Sequence, residues 1–81
     1  MEINNKEVGF RIKSIRQKNG KTTKEFGSLI DGASDSLVSR WERGVNLPNT
    51  KRLKLIAELG NVSVNELLYG DRKAYIAQLV N

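Results

Sequence analysis

Apolar residues recur along this chain at intervals of three and four, the spacing of one face of a helix, and not at the interval of two that marks a strand. In the first segment Val8, Ile12 and Ile15 fall on one line while Arg11, Lys13, Arg16 and Lys18 fall between them. Asn19-Gly20 is a natural end for that helix, because glycine takes a left-handed cap without strain. Either Thr22 or Thr23 can cap a second helix running through Glu25, Phe26, Gly27 and Leu29 to Ile30, which Asp31-Gly32-Ala33 breaks. Ser34 suits the N-cap of a third helix, from about Ser34 to Arg43, with Val38 and Trp41 on one side. Ser36, Ser39, Arg40 and Arg43 then share an arc of roughly 100° facing away from Val38, and Gly44 closes the helix.

Beyond Leu47-Pro48, Asn49 caps a fourth helix that turns Leu53, Ile56 and Ala57 inward, and Gly60-Asn61 supplies two residues tolerant of positive φ to stop it. The clearest local signal follows. Ser63-Val64-Asn65-Glu66 fits a capping box, with Val62 and Leu67 as the hydrophobic staple around it, so a fifth helix begins near Val64. A short sixth helical pattern (Ala74, Tyr75, Ile76, Leu79, Val80) runs from Asp71 to Val80, with docking and fraying both open. The pattern predicts an all-α fold: one domain over 6–70 and a C-terminal helical extension over 71–81.

Composition narrows the function. A chain of 81 residues has one core and buries only about 60% of the surface its unfolded form exposes. There is no cysteine and no histidine, which removes disulfides, thiolate nucleophiles, zinc–thiolate sites and the commonest general base. Without a nucleophile–base pair or a phosphate-cradling glycine loop, no enzymatic activity, metal or cofactor is expected. No stretch approaches the roughly 18 apolar residues of a membrane span, and Met1-Glu2-Ile3-Asn4-Asn5 lacks the apolar core of a signal peptide, so a cytoplasmic protein is expected. Fourteen Lys and Arg against nine Asp and Glu give a net charge of +5. That balance favours polyanionic partners, though a well-solvated basic surface would explain the charge equally.

The residues together resemble the Cro and lambda-repressor-like helix-turn-helix family, the xenobiotic-response-element type of bacterial and phage regulators. The resemblance covers about Val8 to Leu68. Its signposts are Val8-Gly9, Arg11-Ile12, Ile15-Arg16, Thr22, Glu25-Phe26-Gly27, Val38-Ser39-Arg40-Trp41-Glu42-Arg43-Gly44, Leu47-Pro48, Leu53, Ile56-Ala57, Val62-Ser63 and Glu66-Leu67-Leu68. It implies a five-helix domain whose second helix lies across the DNA backbone while the third enters the major groove. Carried over residue by residue, base contacts fall on Asp35, Ser36, Leu37 and Arg40, and backbone contacts on Thr23, Lys24, Ser39, Arg43, Asn46 and Asn49. Arg16 and Glu42 match a pair that in this family joins the first and third helices, with Trp41 in the core beside it. Two departures stand out: the turn Asp31-Gly32-Ala33 is one residue longer than usual, and Thr23 replaces the customary phosphate-binding glutamine.

The chemistry of these side chains is uneven. Arg40 can donate two parallel bonds to guanine O6 and N7, or reach a phosphate instead. Ser36 and Ser39 can bond bases or phosphates and so carry little specificity alone. Asp35 is repelled by phosphate unless it accepts from cytosine N4 or caps the helix. Leu37 can meet a thymine methyl or pack on the second helix, whereas Trp41 falls on a core position. Gly27 is expected where the two motif helices cross too closely for a side chain.

The sequence therefore predicts a sequence-specific duplex-DNA-binding transcription regulator, a repressor in the first instance, working as a homodimer on a roughly palindromic site. Tyr75, Ile76 and Leu79 are candidates for the dimer contact, with docking on their own domain as the alternative. A second class, an antitoxin-like module that binds a protein partner and its own promoter, would be favoured by a large apolar patch on the last helix. A single-stranded RNA reader is disfavoured, since Phe10, Phe26, Trp41, Tyr69 and Tyr75 form no stacking array.

Overall fold

A computed structural model describes residues 2–70. These form five helices, α1 (Asn5–Lys18), α2 (Thr23–Leu29), α3 (Asp35–Glu42), α4 (Thr50–Leu59) and α5 (Val64–Tyr69), with no strand among the described residues. The expected extension over 71–81, and with it the candidate dimer contact, lies outside the described residues.

Each helix begins at an oxygen-bearing side chain that takes up an otherwise orphaned N–H, the local event that sequence reading detects best. Glu7 N–H donates to the Asn4 side chain, Leu37 N–H to Ser34, and Arg52 N–H to Asn49. Of the two candidate threonines, Thr22 is the cap of α2. It accepts from Glu25 N–H, and the Glu25 carboxylate accepts from Thr22 N–H, closing a capping box. Ser63 and Glu66 close the second one, as their spacing predicts.

Helix ends follow the same local logic, with two corrections. Gly44 takes φ +76° after α3, and the N–H groups of Gly44 and Val45 donate back to the carbonyls of Trp41 and Arg40. At the end of α4 the left-handed residue is Asn61 alone, at φ +54°, whereas Gly60 has an ordinary φ of −87°. Glycine at position 60 instead lets the Ile15 side chain approach the backbone, since a Cβ there would lie 2.5 Å from Ile15 Cδ1. Similarly, α2 stops at Leu29, with Ile30 as its C-cap and not as its last helical residue.

The core joins Val8, Ile12 and Ile15 of α1, Phe26 of α2, Ile30 and Ala33 of the turn, Val38 and Trp41 of α3, Leu53, Ile56 and Ala57 of α4, and Leu67 of α5. Burying each of the larger side chains stabilises the fold by about 1.5–3 kcal/mol. Helix α3 packs against both α1 and α2, while α5 packs against α1 and α4. One face of α3 is thus committed to the core, and its opposite face is left outside.

Candidate nucleic-acid interface

The exposed face of α3 is polar because its buried face is not: Val38 and Trp41 are almost fully enclosed, and the residues between them must point outward. Ser36, Ser39, Arg40 and Arg43 line a shallow, open depression of about 400 Å³ together with Thr23 and Asp35. Thr23 and Asp35 are the first residues of α2 and α3, so the depression begins where the N-termini of the two motif helices meet and runs along the outer face of α3 to its C-cap, Arg43.

The convergence is fixed by the turn between the helices. Asp31 and Gly32 both take left-handed φ, +54° and +66°, and Ala33 N–H donates to Gly27 O at 2.8 Å. A Cβ on Gly27 would lie 2.0 Å from the Ala33 carbonyl oxygen and 3.3 Å from Val38 Cγ2. Gly27 therefore serves close approach, as expected, but the nearest atom belongs to the turn. From the other side, the first turn of α4 grips the same loop: Arg52 donates to the Asp31 carbonyl at 3.2 Å, and Lys51 lies 3.4 Å from its carboxylate. Sequence reading gave Arg52 no role, since its partner lies 21 residues away.

Helix α3 is tied to α1 by charge as well as by packing. Arg16 Nε and Nη2 donate to the two Glu42 carboxylate oxygens at 2.6 and 3.0 Å, and Nη1 donates to the Lys21 carbonyl at 2.9 Å. The side chains are only 15% and 8% exposed, so the pair is largely withdrawn from water. The hydrogen bond to Glu42 raises the Arg16 pKa further above its already high ordinary value, with burial opposing and the Glu42 charge assisting. Gly9 completes this contact, for a Cβ there would meet the Trp41 and Glu42 carbonyl oxygens at 2.4 and 2.7 Å. No local pattern marks Gly9 for that role.

Not every candidate lines the depression. Arg43 is exposed, and its Nε donates to the Ser39 carbonyl at 3.3 Å. Lys24 and Asn46 are exposed and lie outside the depression's lining, as does Asn49, whose side-chain oxygen is engaged in capping α4. Leu37 is half-buried against the core. Among the described residues there is no cluster of His, Cys, Asp or Glu suited to a metal, and no helix long and apolar enough to cross a membrane.

A helix-turn-helix family model matches residues 12–67, more than half of the chain. The chain belongs to the helix-turn-helix family of the Cro and lambda-repressor type, a family of DNA-binding transcription regulators. Among solved structures it is similar to the P22 c2 repressor in complex with a synthetic operator, at 31% identity and a TM-score of 0.72 over 79% of this chain and 96% of that one. It is also similar to PlcR of Bacillus thuringiensis in complex with a peptide and DNA, at 28% identity and a TM-score of 0.71 over 93% of this chain. A curated relative is the HTH-type transcriptional activator BcrR of Enterococcus faecalis, 28% identical over 75 residues, or 93% of this chain. The chain spans 36% of the length of BcrR and 29% of that of PlcR.

Proposed function

We propose that this helix-turn-helix domain is a sequence-specific reader of duplex DNA that lays α3 in the major groove and regulates transcription from the site it occupies. The observation that carries this reading is the depression along the outer face of α3, which Ser36, Ser39, Arg40 and Arg43 line while Val38 and Trp41 lock the other side of the helix into the core. A recognition helix needs both properties: a polar face turned away from the core, and a backbone that the fold holds still.

In this pose Asp35, Ser36, Leu37 and Arg40 are the base-facing positions, with Arg40 bidentate to a guanine. Thr23, Lys24, Ser39, Arg43, Asn46 and Asn49 flank them as backbone contacts. Two copies on half-sites one helical turn apart would supply the contacts that a single α3 lacks. The relation to a repressor solved with its operator, and to a regulator solved with DNA, supports duplex DNA as the ligand.

The test is competition binding of a duplex selected from a random pool against a scrambled duplex, at two salt concentrations. Groove reading predicts a palindromic selected sequence, preferred by about a thousandfold or more, and steep loss of affinity with salt. Equal affinity for selected and scrambled duplexes would contradict it.

A further inference from the structure

Helix α1 is capped at its C-terminus by Asn19, and of the chain's asparagines only this one is followed by glycine. That pairing has a chemistry of its own. The backbone nitrogen of the next residue can attack the asparagine Cγ and close a succinimide ring; a side chain on that residue crowds the attack, and glycine has none. Asn19 and Gly20 are both exposed, and a Cβ on Gly20, at φ +65°, would meet nothing within 4 Å, so no distant segment covers the pair. What restrains the reaction is the end of the helix itself. Gly20 N–H donates to the Gln17 carbonyl at 3.0 Å, and Asn19 Nδ2 donates to the Ile15 carbonyl at 2.7 Å. Nucleophile and leaving group are thus held by different carbonyls of α1. Asn61 supplies an internal contrast: it too is exposed after a helix, at φ +54°, but the residue that follows it is the branched Val62.

We propose that Asn19 is a site of spontaneous deamidation, gated by the last turn of α1, and that its products loosen the hold of α1 on α3. In the first step Gly20 N gives its proton to solvent base and bonds to Asn19 Cγ, the Cγ–Nδ2 bond breaks, and ammonia leaves with a proton from water. Water then opens the ring. Breaking the ring bond at Cγ gives aspartate, and breaking the one at the Asn19 backbone carbonyl carbon gives isoaspartate. Water is consumed, ammonia is released, and nothing is oxidised or reduced. The attack needs Gly20 N–H released from the Gln17 carbonyl and the Asn19 side chain turned off the Ile15 carbonyl, so its rate follows the population in which that turn is open. Either product adds a carboxylate and removes the Nδ2 donor from the Ile15 carbonyl. The new charge falls at the negative end of the helix dipole. Isoaspartate also lengthens the backbone by a carbon just ahead of Lys21, whose carbonyl accepts from Arg16 Nη1. Because Arg16 is the residue that holds Glu42, a lesion at this cap reaches α3 through a single side chain.

The experiment incubates the whole chain in mildly alkaline buffer, with and without guanidinium chloride, and follows Asn19 by peptide mass spectrometry. Deamidation at Asn19 should be about tenfold faster or more in the denaturant than in the folded protein, with Asn61 intact over the same period. Gly20→Ala should largely suppress the reaction even in denaturant, where the helix no longer contributes. Asn19→Asp, the product of one branch, should melt about 5 °C below the wild type, and Asn19→Ala, which loses the donor without adding charge, by less. The losses from Asn19→Asp and Glu42→Ala should be less than additive, as expected of lesions that share Arg16. Equal rates in folded and denatured protein would remove the gate, and an intact Asn19 in denaturant would remove the site. An unchanged melting temperature for Asn19→Asp, or strict additivity with Glu42→Ala, would overturn the consequence drawn for α3.

Discussion

Arg16 of α1 and Glu42 of α3 meet in a two-pronged ion pair, 26 residues apart in sequence, that joins the scaffold helix to the last turn of the recognition helix. Its worth lies more in geometry than in net energy, because two charges withdrawn from water lose in desolvation much of what they gain from each other. Removing one partner is a different matter, since the survivor stays in place uncompensated. Glu42→Ala is expected to lower the unfolding free energy by about 2–3 kcal/mol, and Arg16→Met combined with Glu42→Leu to recover most of it. Urea denaturation of the three variants checks this; a change below about 0.5 kcal/mol for Glu42→Ala would place the pair among inconsequential surface bridges.

Gly27 and Gly20 separate two reasons for glycine. At Gly27 an added Cβ collides with the Ala33 carbonyl oxygen, so Gly27→Ala must displace the turn that sets the angle of α3. At Gly20 there is open space and only a φ of +65° to accommodate. Gly20→Ala should cost about 1 kcal/mol and leave DNA binding nearly unchanged. Gly27→Ala should cost about 3 kcal/mol or more and weaken DNA binding beyond what the lost folded population explains. Comparable effects at the two sites would argue against the close approach.

Glu25 links the N-terminus of α2 to pH. Its carboxylate accepts from the backbone N–H of Thr22, which, with the Thr22 side chain and nearby Lys21, holds its pKa below the ordinary value. The folded state therefore resists protonation more than the unfolded state does. The capping contribution is complete above the ordinary carboxylate range and is lost as pH falls through that range towards the lowered folded value. Glu25→Gln keeps the capping geometry without the titration, so the variant's melting temperature should fall less than the wild type's between about pH 6 and pH 3. Parallel melting curves for the two proteins across that range would remove Glu25 from the acid response.

These cases also show which parts of the molecule a sequence discloses. Caps are local, so Ser34, Asn49 and the Ser63–Glu66 box were legible from residues at most three positions apart. The core was legible because the 3.6-residue period places Val8, Ile12, Val38, Trp41, Leu53 and Ile56 on faces that must be buried. What escaped was contact between distant segments. Arg11 donates to the Leu67 and Leu68 carbonyls across 56 and 57 residues, and no local pattern distinguishes it from Lys13 or Lys18. Gly60 read as a stop signal and Gly9 only as part of the Val8-Gly9 signpost, but a Cβ at Gly9 would meet the Trp41 and Glu42 carbonyl oxygens and one at Gly60 the Ile15 side chain, neighbours brought there by packing. For the interface, the outward arc of Ser36, Ser39, Arg40 and Arg43 followed from periodicity, while the engagement of Thr23 with Asp35 depended on the turn between α2 and α3.

Selection of duplexes from a random pool with the wild type, Arg40→Ala and Arg43→Ala in parallel decides whether α3 reads bases from its exposed face. A bidentate arginine–guanine contact carries about 1–3 kcal/mol of discrimination, whereas a phosphate contact carries none and contributes about one to the salt slope. Arg40→Ala should lose a guanine at one symmetric pair of positions and keep the rest of the motif. Arg43→Ala should keep the whole motif, bind more weakly, and show a salt slope smaller by about one per subunit. An unchanged motif with Arg40→Ala would contradict base reading by Arg40, and a featureless pool with all three proteins would contradict groove reading by α3.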